Sequence, residues 1–395
     1  MNYLIIGAGA AGMEAAQAIR VNDPSSCVTI VTDDAYTHYF RPKLVHFLSE
    51  NGGPEELPLH TAQWYQEHGI AFVTGRRITD LGVASHTAID SQGGAYLWDR
   101  ALLACGGNAF VPPIPGANRK GVFTLHSLDD AIRIRDYSIG KKRAVVIGGG
   151  LLGLENAFAL SQRGLDVTVV EFASWLLPKQ LDREGGEHLR RLLEAKGLRF
   201  ILAGQVEAIS GVEAEGPANG VRLKSGKTME TDMVLVSIGV RSETSLAVKA
   251  GIAVNRGIVV NDRLETSIPG VYAAGDAAEH RGVCYGLWTV AGEQGRAVGA
   301  NMAGIETLYA GSMSSSQLKI TGIDMYSAGD ASVFALPEAE SETVIKASDA
   351  IQYRKLRLGA DGKPLVTMVI GEKAAIKIAR KIMAGTANPE EFRNL

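Results

Sequence analysis

Gly7, Gly9 and Gly12 in IIGAGAAG share the spacing G-x-G-x-x-G with Gly148, Gly150 and Gly153 in VIGGGLLGLE. Each set follows a short apolar run and opens a helix-prone one, the context in which such glycines bind a dinucleotide diphosphate. The first glycine allows a tight turn, the second lets backbone approach the phosphates, and the third lets helix and strand pack closely. The helix start that follows presents unpaired N–H groups and the positive end of a dipole. Ala10 and Ala11 in the first set, and Leu151 and Leu152 in the second, therefore join the candidate cofactor-binding residues. A carboxylate about 20 residues further on is expected to bind a ribose. Asp33 and Asp34 both suit the first set, and spacing does not choose between them. Glu171, 23 residues after Gly148, suits the second. A carboxylate there accepts from a free 2′-hydroxyl and repels a 2′-phosphate. No arginine immediately follows it, and Lys179 is the nearest base, so this site is expected to favour NADH over NADPH. Two such sets imply two dinucleotides meeting at one crevice, as flavin reduction by a nicotinamide requires.

The elements that must hold these turns are partly legible. Residues 3–6 read as a strand, 13–19 as an alanine-rich helix and 28–31 as a β-branched buried strand. The plan recurs with a strand at 144–147, a helix at 154–163 and a strand at 167–170, the internal repeat of the chain. Pro112, Pro113 and Pro115 suit a linker before the second unit. A strand at 233–238 ends at Gly239, which closes that unit and joins the candidate nucleotide-binding residues. Strand, turn and strand return over 258–274. Alternation after Leu318, a hairpin-like LGADGKP and a helix at 372–383 point to a small C-terminal α+β domain, with residues 312–316 as a flexible joint.

At about 150 residues per domain, 395 residues suggest two to three domains. Forty basic and 43 acidic residues leave a net charge of −3, so nothing points to nucleic acid or to an anionic membrane surface as a partner. No apolar run approaches the roughly 18 residues of a membrane span. No basic leader precedes the first strand. Cys27, Cys105 and Cys284 are odd in number and widely separated, which gives neither a disulfide framework nor a metal site. A cytoplasmic location is the expectation.

The two glycine motifs, together with LLACGG (102–107), SIGVRSE (237–243) and TSIPGVYAAGD (266–276), resemble the FAD-dependent pyridine nucleotide–disulfide oxidoreductase superfamily. YFRPKL (39–44), LWTVAGEQGRAVGANMAG (287–304) and LKITGIDMYSAG are similar to its NADH:rubredoxin reductase group, itself similar to the flavin-binding part of the nitrite reductase large subunit. The resemblance covers essentially the whole chain. It implies an α/β fold with two Rossmann-like nucleotide-binding domains and a small α+β C-terminal domain. The FAD domain would be discontinuous (1–110 and 240–316), the NAD domain inserted (111–239), and the last domain would run over 317–395. It further implies that Asp276 holds the ribityl and phosphate region of FAD, and that Ala104 and Gly106 lie against it, with Cys105 in place of the usual threonine. Arg41 and Lys43 would stand near the FAD phosphates, Ile78 at the adenine, Trp288 beside the isoalloxazine ring, and Glu155 at the nicotinamide carboxamide as the catalytic candidate. His46 stands where some of these reductases place a lysine that pairs with the glutamate matching Glu155, which puts that pair in doubt.

Disulfide reductases of this kind carry a cysteine pair on the first FAD helix, and thiol-based oxidases carry one cysteine near position 42. Here Pro42 stands there, and no cysteine occurs between Cys27 and Cys105. Cys27 reads as core and Cys105 as packing, and Cys284 is expected near Trp288. Without a thiolate beside the flavin there is no relay to a disulfide or peroxide. What remains is hydride from NADH to FAD and electrons onward to a small iron–sulfur carrier such as rubredoxin. Rubredoxins are acidic, so a basic docking patch is expected. The alternatives are a flavin subunit of a larger redox complex, an NADH oxidase using oxygen and, more distantly, an NADH-sensing binding protein. No metal site is expected, and a homodimer through the C-terminal domain is one arrangement left open.

Overall fold

The computed structural model describes residues 1–50, 52–211, 213, 216–335, 343–349 and 351–393. Strand β1 (Asn2–Ile6), helix α1 (Ala10–Asn22) and strand β2 (Cys27–Val31) form the first βαβ unit. Helices α2 (Leu44–Ser49) and α3 (Ala62–Glu67) and strand β3 (Ile70–Val73) follow. Then come the short strands β4 (Ile78–Gly82), β5 (Thr87–Asp90) and β6 (Ala95–Leu97), and after them β7 (Arg100–Leu103) and β8 (Gly107–Ala109). The middle of the chain holds β9 (Val122–Phe123), α4 (Leu128–Ser138), β10 (Arg143–Ile147), α5 (Leu151–Gln162), β11 (Asp166–Val170), α6 (Arg183–Glu194) and β12 (Arg199–Ile201). It continues through β13 (Val206–Gly211), β14 (Ala218–Leu223), β15 (Thr228–Glu230) and β16 (Met233–Val236). The chain returns through β17 (Val240–Ser242), α7 (Ser245–Lys249), β18 (Ile258–Val260), β19 (Val271–Ala273), β20 (Ala278–His280) and α8 (Trp288–Met302). It ends with β21 (Ser315–Ile320), β22 (Ile323–Gly329), β23 (Thr343–Ser348), β24 (Tyr353–Leu358), β25 (Pro364–Ile370), α9 (Lys373–Met383) and α10 (Glu390–Arg393).

Two parallel sheets dominate, ordered β19-β7-β1-β2-β3 and β12-β11-β10-β16-β9. Their registers match: Ile6 pairs Val31 at the end of β1 and β2, and Ile147 pairs Val170 at the end of β10 and β11. In both, the strand order reverses beside the first strand, at β1/β7 and β10/β16. That reversal opens a crevice at the carboxyl ends, where ligands of such sheets bind. Each sheet also carries a three-stranded antiparallel appendage, β4-β5-β6 in one and β13-β14-β15 in the other. The C-terminal sheet is antiparallel, β21-β22-β25-β24-β23, and α9 turns Ala375, Ile376, Ala379, Ile382 and Met383 into its core.

Burial explains the composition of the strands. Leu4, Ile5, Val145 and Val146 are all buried, as strands covered on both faces require. Small residues explain the closest helix pair. A Cβ built on Gly295 of α8 would lie 2.5 Å from the Ala11 carbonyl oxygen of α1, and one on Gly299 would lie 2.5 Å from that of Ala15. Residues 1–109 and 240–302 are stitched together by β7 with β19 and by β8 with β17.

Several expectations need correction. Both helices that follow the glycine turns begin three residues earlier than the periodicity suggested, because Gly9 and Gly150 occupy the N-cap positions. The strand expected over 233–238 ends at Val236. Cys27 is exposed, not core: it is the first residue of β2 and pairs with Asn2 at the sheet's rim. Residues 312–316 are not a loose joint. Ser315 and Ser316 already pair in β21 with Ala328 and Ser327, and the Ser312 hydroxyl bonds Glu293 and Tyr309.

Candidate active site

The two glycine turns are near copies. Gly7 and Gly148 take φ of +109° and +112°, while Gly9 and Gly150 take φ of −72° and −74° with extended ψ. A Cβ on Gly7 would lie 2.1 Å from the Ala104 carbonyl oxygen, and one on Gly148 would lie 2.2 Å from that of Ser237. A Cβ on Gly12 would meet the Gly7 oxygen at 2.0 Å, and one on Gly153 the Gly148 oxygen at 2.1 Å. Around the middle glycines, Gly9 and Gly150, nothing lies within 4 Å of that position. The outer glycines are closed in by protein backbone and the middle one opens to space, which fits a diphosphate approaching the turn. Neither N-cap has a capping side chain, so the first N–H groups of α1 and α5 stay free for such a ligand.

The first turn borders a cavity of about 540 Å³. Gly7, Gly9, Asp33, Asp34, Arg41, Ile78, Ala104, Gly106 and Trp288 all line it. Gly12, Ala10 and Ala11 stand behind, in the first turn of α1. Lys43 does not reach the cavity and is exposed. Asp276 does not line it either, but occupies the short turn Gly275–Ala277. The Ser242 hydroxyl donates to its carbonyl at 2.5 Å, and burial raises the pKa of its carboxyl against the pull of Arg41.

The two aspartates differ. Asp34 accepts from the Tyr39 hydroxyl at 2.8 Å and the Tyr36 N–H at 3.2 Å, and burial raises its pKa. Asp33 is exposed beside Arg77, with 3.1 Å between Oδ2 and Nε. The position that Glu171 takes after β11 is occupied after β2 by the buried Thr32.

Around the second turn, Gly148, Gly150, Leu151 and Gly153 form the head of α5, and Leu152 points partly into solvent. Glu171 is anchored there. Its Oε2 accepts from the Gly149 N–H at 2.5 Å and its Oε1 from the Ala173 N–H at 2.7 Å. A carboxylate has about four acceptor sites, so two remain for a ribose diol. Gly239 keeps φ +117° at the end of the β16 loop, and its carbonyl accepts from Phe110. Glu155 is buried on α5, whereas His46 is exposed on α2.

Four features of the wall were not legible beforehand. His126 lines the cavity and sits 3.2 Å from Arg41. Its ring pKa is pushed down to about 4, first by burial and then by the Arg41 charge, so neutral imidazole accepts from the guanidinium. Tyr39 reaches across to the Leu128 N–H at 3.1 Å. Ser127 and Asp130, the capping box of α4, bring that helix start to the same wall. The box is visible in the sequence as SLDD, though its place in space is not. His38 is the fourth: burial pushes it too down to about 4.

Cys105 lines the cavity, but burial pushes its thiol up to about 12, and burial raises that of Cys284 as well. Neither is a thiolate at neutral pH. Cys284 packs against Gly257 and does not line the cavity with Trp288. Among the described residues, no group of three or more His, Cys, Asp or Glu is placed to hold a metal, and no helix is long and apolar enough to cross a membrane.

The depressed histidines carry a pH dependence. Both stay neutral in the folded protein down to about pH 4, whereas unfolded histidines take protons below about 6.5. The unfolded state therefore binds more protons between these values, and stability falls as pH falls through that window. The slope is up to roughly 1.4 kcal/mol per pH unit for each histidine. Thermal unfolding should show a lower midpoint at pH 5 than at pH 7, and His126→Gln should make the drop shallower. An unchanged slope in that variant would contradict the assignment.

Comparison with known proteins agrees with this geometry. A family model described as pyridine nucleotide-disulphide oxidoreductase matches residues 1–295. The chain is 37% identical over 359 residues to the nitrite reductase (NAD(P)H) of Bacillus subtilis, which is 90% of this chain and 44% of that protein. It spans less than half the length of that relative. It is 30% identical over 329 residues to the NADH-rubredoxin oxidoreductase of Clostridium acetobutylicum, covering 83% of this chain and 81% of the other. The solved structure of NADH:rubredoxin oxidoreductase from Clostridium acetobutylicum superposes with a TM-score of 0.79 at 27% identity, over 98% of this chain and 96% of that one. The ferredoxin reductase for the CYP199A2 system from Rhodopseudomonas palustris gives 0.88 at 25% identity, over 100% and 97%. A FAD-dependent pyridine nucleotide-disulphide oxidoreductase from Desulfovibrio vulgaris superposes with a TM-score of 0.78 at 24% identity, over 100% of this chain and 95% of that one. With paired glycine cradles at two matching sheet crevices and a family model spanning both, the chain belongs to the pyridine nucleotide-disulphide oxidoreductase family.

Proposed function

We propose that this protein passes electrons from NADH, through FAD, to a small one-electron iron–sulfur carrier such as rubredoxin, with no cysteine taking part. The observation that carries the reading is the flavin cavity itself: Pro42 stands at the cysteine position, and the one thiol lining the cavity, Cys105, is held protonated. The rubredoxin-reducing relative of Clostridium acetobutylicum supports the choice of carrier. When bound, FAD supplies a two-electron acceptor that can return electrons singly.

The chain's own residues then do positional work. The first cradle, with Gly9, Ala10 and Ala11 offering N–H groups, binds the FAD diphosphate, and Arg41, held by His126, adds a positive charge. One of Asp33 and Asp34, which both line the cavity, takes the FAD ribose. Ile78 borders the adenine, Ala104 and Gly106 the flavin side, and Trp288 the ring. The second cradle binds NADH, with Glu171 on the ribose, Gly239 at the rim and Glu155 oriented to the nicotinamide amide. The domains divide at 1–110 with 240–316, at 111–239 and at 317–395.

A second reading has its own support. The nitrite reductases that resemble this chain are more than twice its length, which favours a flavin module within a larger redox assembly. Turnover of purified protein with NADH and rubredoxin, ferredoxin or oxygen separates the readings. Rapid catalytic reduction of rubredoxin supports the first. Fast flavin reduction with no carrier accelerating reoxidation refutes it.

A further inference from the structure

His38 is buried, yet it belongs to no catalytic or binding motif in the sequence. Its Nδ1 lies 2.7 Å from the carbonyl oxygen of Ala8, the residue between Gly7 and Gly9. A carbonyl can only accept, so Nδ1 carries the proton. Burial keeps the ring neutral, which leaves Nε2 bare. The ring stacks on Trp288, with centroids 5.6 Å apart and planes 16° from parallel. Both rings line the flavin cavity.

The Ala8 carbonyl and the Gly9 N–H are opposite edges of one planar peptide group. Holding the carbonyl against His38 therefore turns the Gly9 N–H away from the imidazole and fixes its direction. That N–H has no acceptor among the described residues, and the Cβ position beside it is empty. The second turn is held differently. Gly149, the counterpart of Ala8, is gripped by its own N–H, which donates to Glu171 at 2.5 Å. Each turn thus has one side chain fixing a peptide: a carboxylate on the N–H of Gly148–Gly149 in one, an imidazole on the carbonyl of Ala8–Gly9 in the other.

We infer that His38 is a positioning residue for the FAD diphosphate: its Nδ1–H holds the Ala8–Gly9 peptide so that the Gly9 N–H faces the ligand. This rests on the reading that the first cradle holds FAD. The atom that matters is Nδ1, and side-chain geometry makes that testable. The amide nitrogen of asparagine can stand where Nδ1 does, whereas that of glutamine stands nearer Nε2.

His38→Asn, His38→Gln and His38→Leu would be reconstituted with FAD, and flavin release measured by fluorescence. The ³¹P spectrum of bound FAD would be recorded for each. We expect the leucine and glutamine variants to bind FAD about tenfold or more weakly, as loss of one buried hydrogen bond implies. Their diphosphate resonances should shift. Asparagine, which lacks the ring but restores the donor, should recover most of the affinity and the native resonances. Equal loss in the asparagine and glutamine variants would assign the effect to stacking on Trp288 and overturn the inference, as would native ³¹P shifts in all three. Wild-type protein that retains no FAD would overturn the flavin reading itself, a different outcome from any variant pattern. Melting of each apoprotein shows whether the leucine variant is folded, and the asparagine–glutamine contrast stands without it.

Discussion

Gly7→Ala is expected to yield a nearly colourless protein, whereas Gly148→Ala stays yellow but is reduced by NADH only at much higher NADH concentrations. At both positions alanine meets the same obstacle. The backbone sits in a region that L side chains rarely adopt, at φ +109° and +112°, and the new Cβ would lie 2.1 or 2.2 Å from a carbonyl oxygen of the neighbouring strand loop. Neither oxygen can swing aside, since each belongs to backbone. The turn must open, and the strain alone costs on the order of 1–3 kcal/mol before any clash is counted. The consequences differ because, on the proposed assignment, the first cradle binds FAD and the second NADH. Flavin content after purification and the NADH dependence of flavin bleaching check the pair. If Gly148→Ala lost flavin, or Gly7→Ala kept it, the assignment of cradles would be reversed.

Gly295→Leu is expected to destabilise the protein by about 1–3 kcal/mol or more, by overpacking the seam between α1 and α8. Its Cβ would lie 2.5 Å from the Ala11 carbonyl oxygen and 2.9 Å from the Glu14 Cβ, so the helices must separate along their contact. Because α1 also carries the first cradle at its head, flavin affinity should fall with stability. Gly292→Ala is the control, since its nearest neighbour is the end of the Arg296 side chain at 3.7 Å. Denaturant unfolding should show a lowered midpoint for Gly295→Leu and little change for Gly292→Ala. Equal midpoints in the two would contradict the account of this seam.

The glycine turns were legible because they obey a spacing rule that backbone sterics enforce, and the apolar runs before them could only be buried parallel strands. The repeat proved longer than the sequence disclosed. The appendages β4–β6 and β13–β15 and the strands β7 and β16 recur in matching places with little residue pattern in common. Strand pairing in such short segments is decided by tertiary neighbours rather than by their own residues. A carboxylate at the strand end was legible at Glu171, whereas Thr32 takes the equivalent place after β2 and leaves Asp33 exposed and Asp34 bonded to Tyr36 and Tyr39. His38 and His126 left no sequence signal at all. Each makes a hydrogen bond to a group distant in the chain, Ala8 or Arg41, and a lone histidine carries no spacing to read. Cys27 misled for the opposite reason: it adjoins an apolar strand, yet its own place is the rim.

Electrons are expected to pass between NADH and flavin with no sulfur between them. An anaerobic titration of the reconstituted protein with NADH, followed by visible absorbance before and after alkylation of all accessible thiols, tests it most directly. One equivalent of NADH per flavin should bleach the oxidised band, with no long-wavelength thiolate–flavin absorption and with the same rate after alkylation. A requirement for two equivalents, or a charge-transfer band that alkylation abolishes, would contradict it.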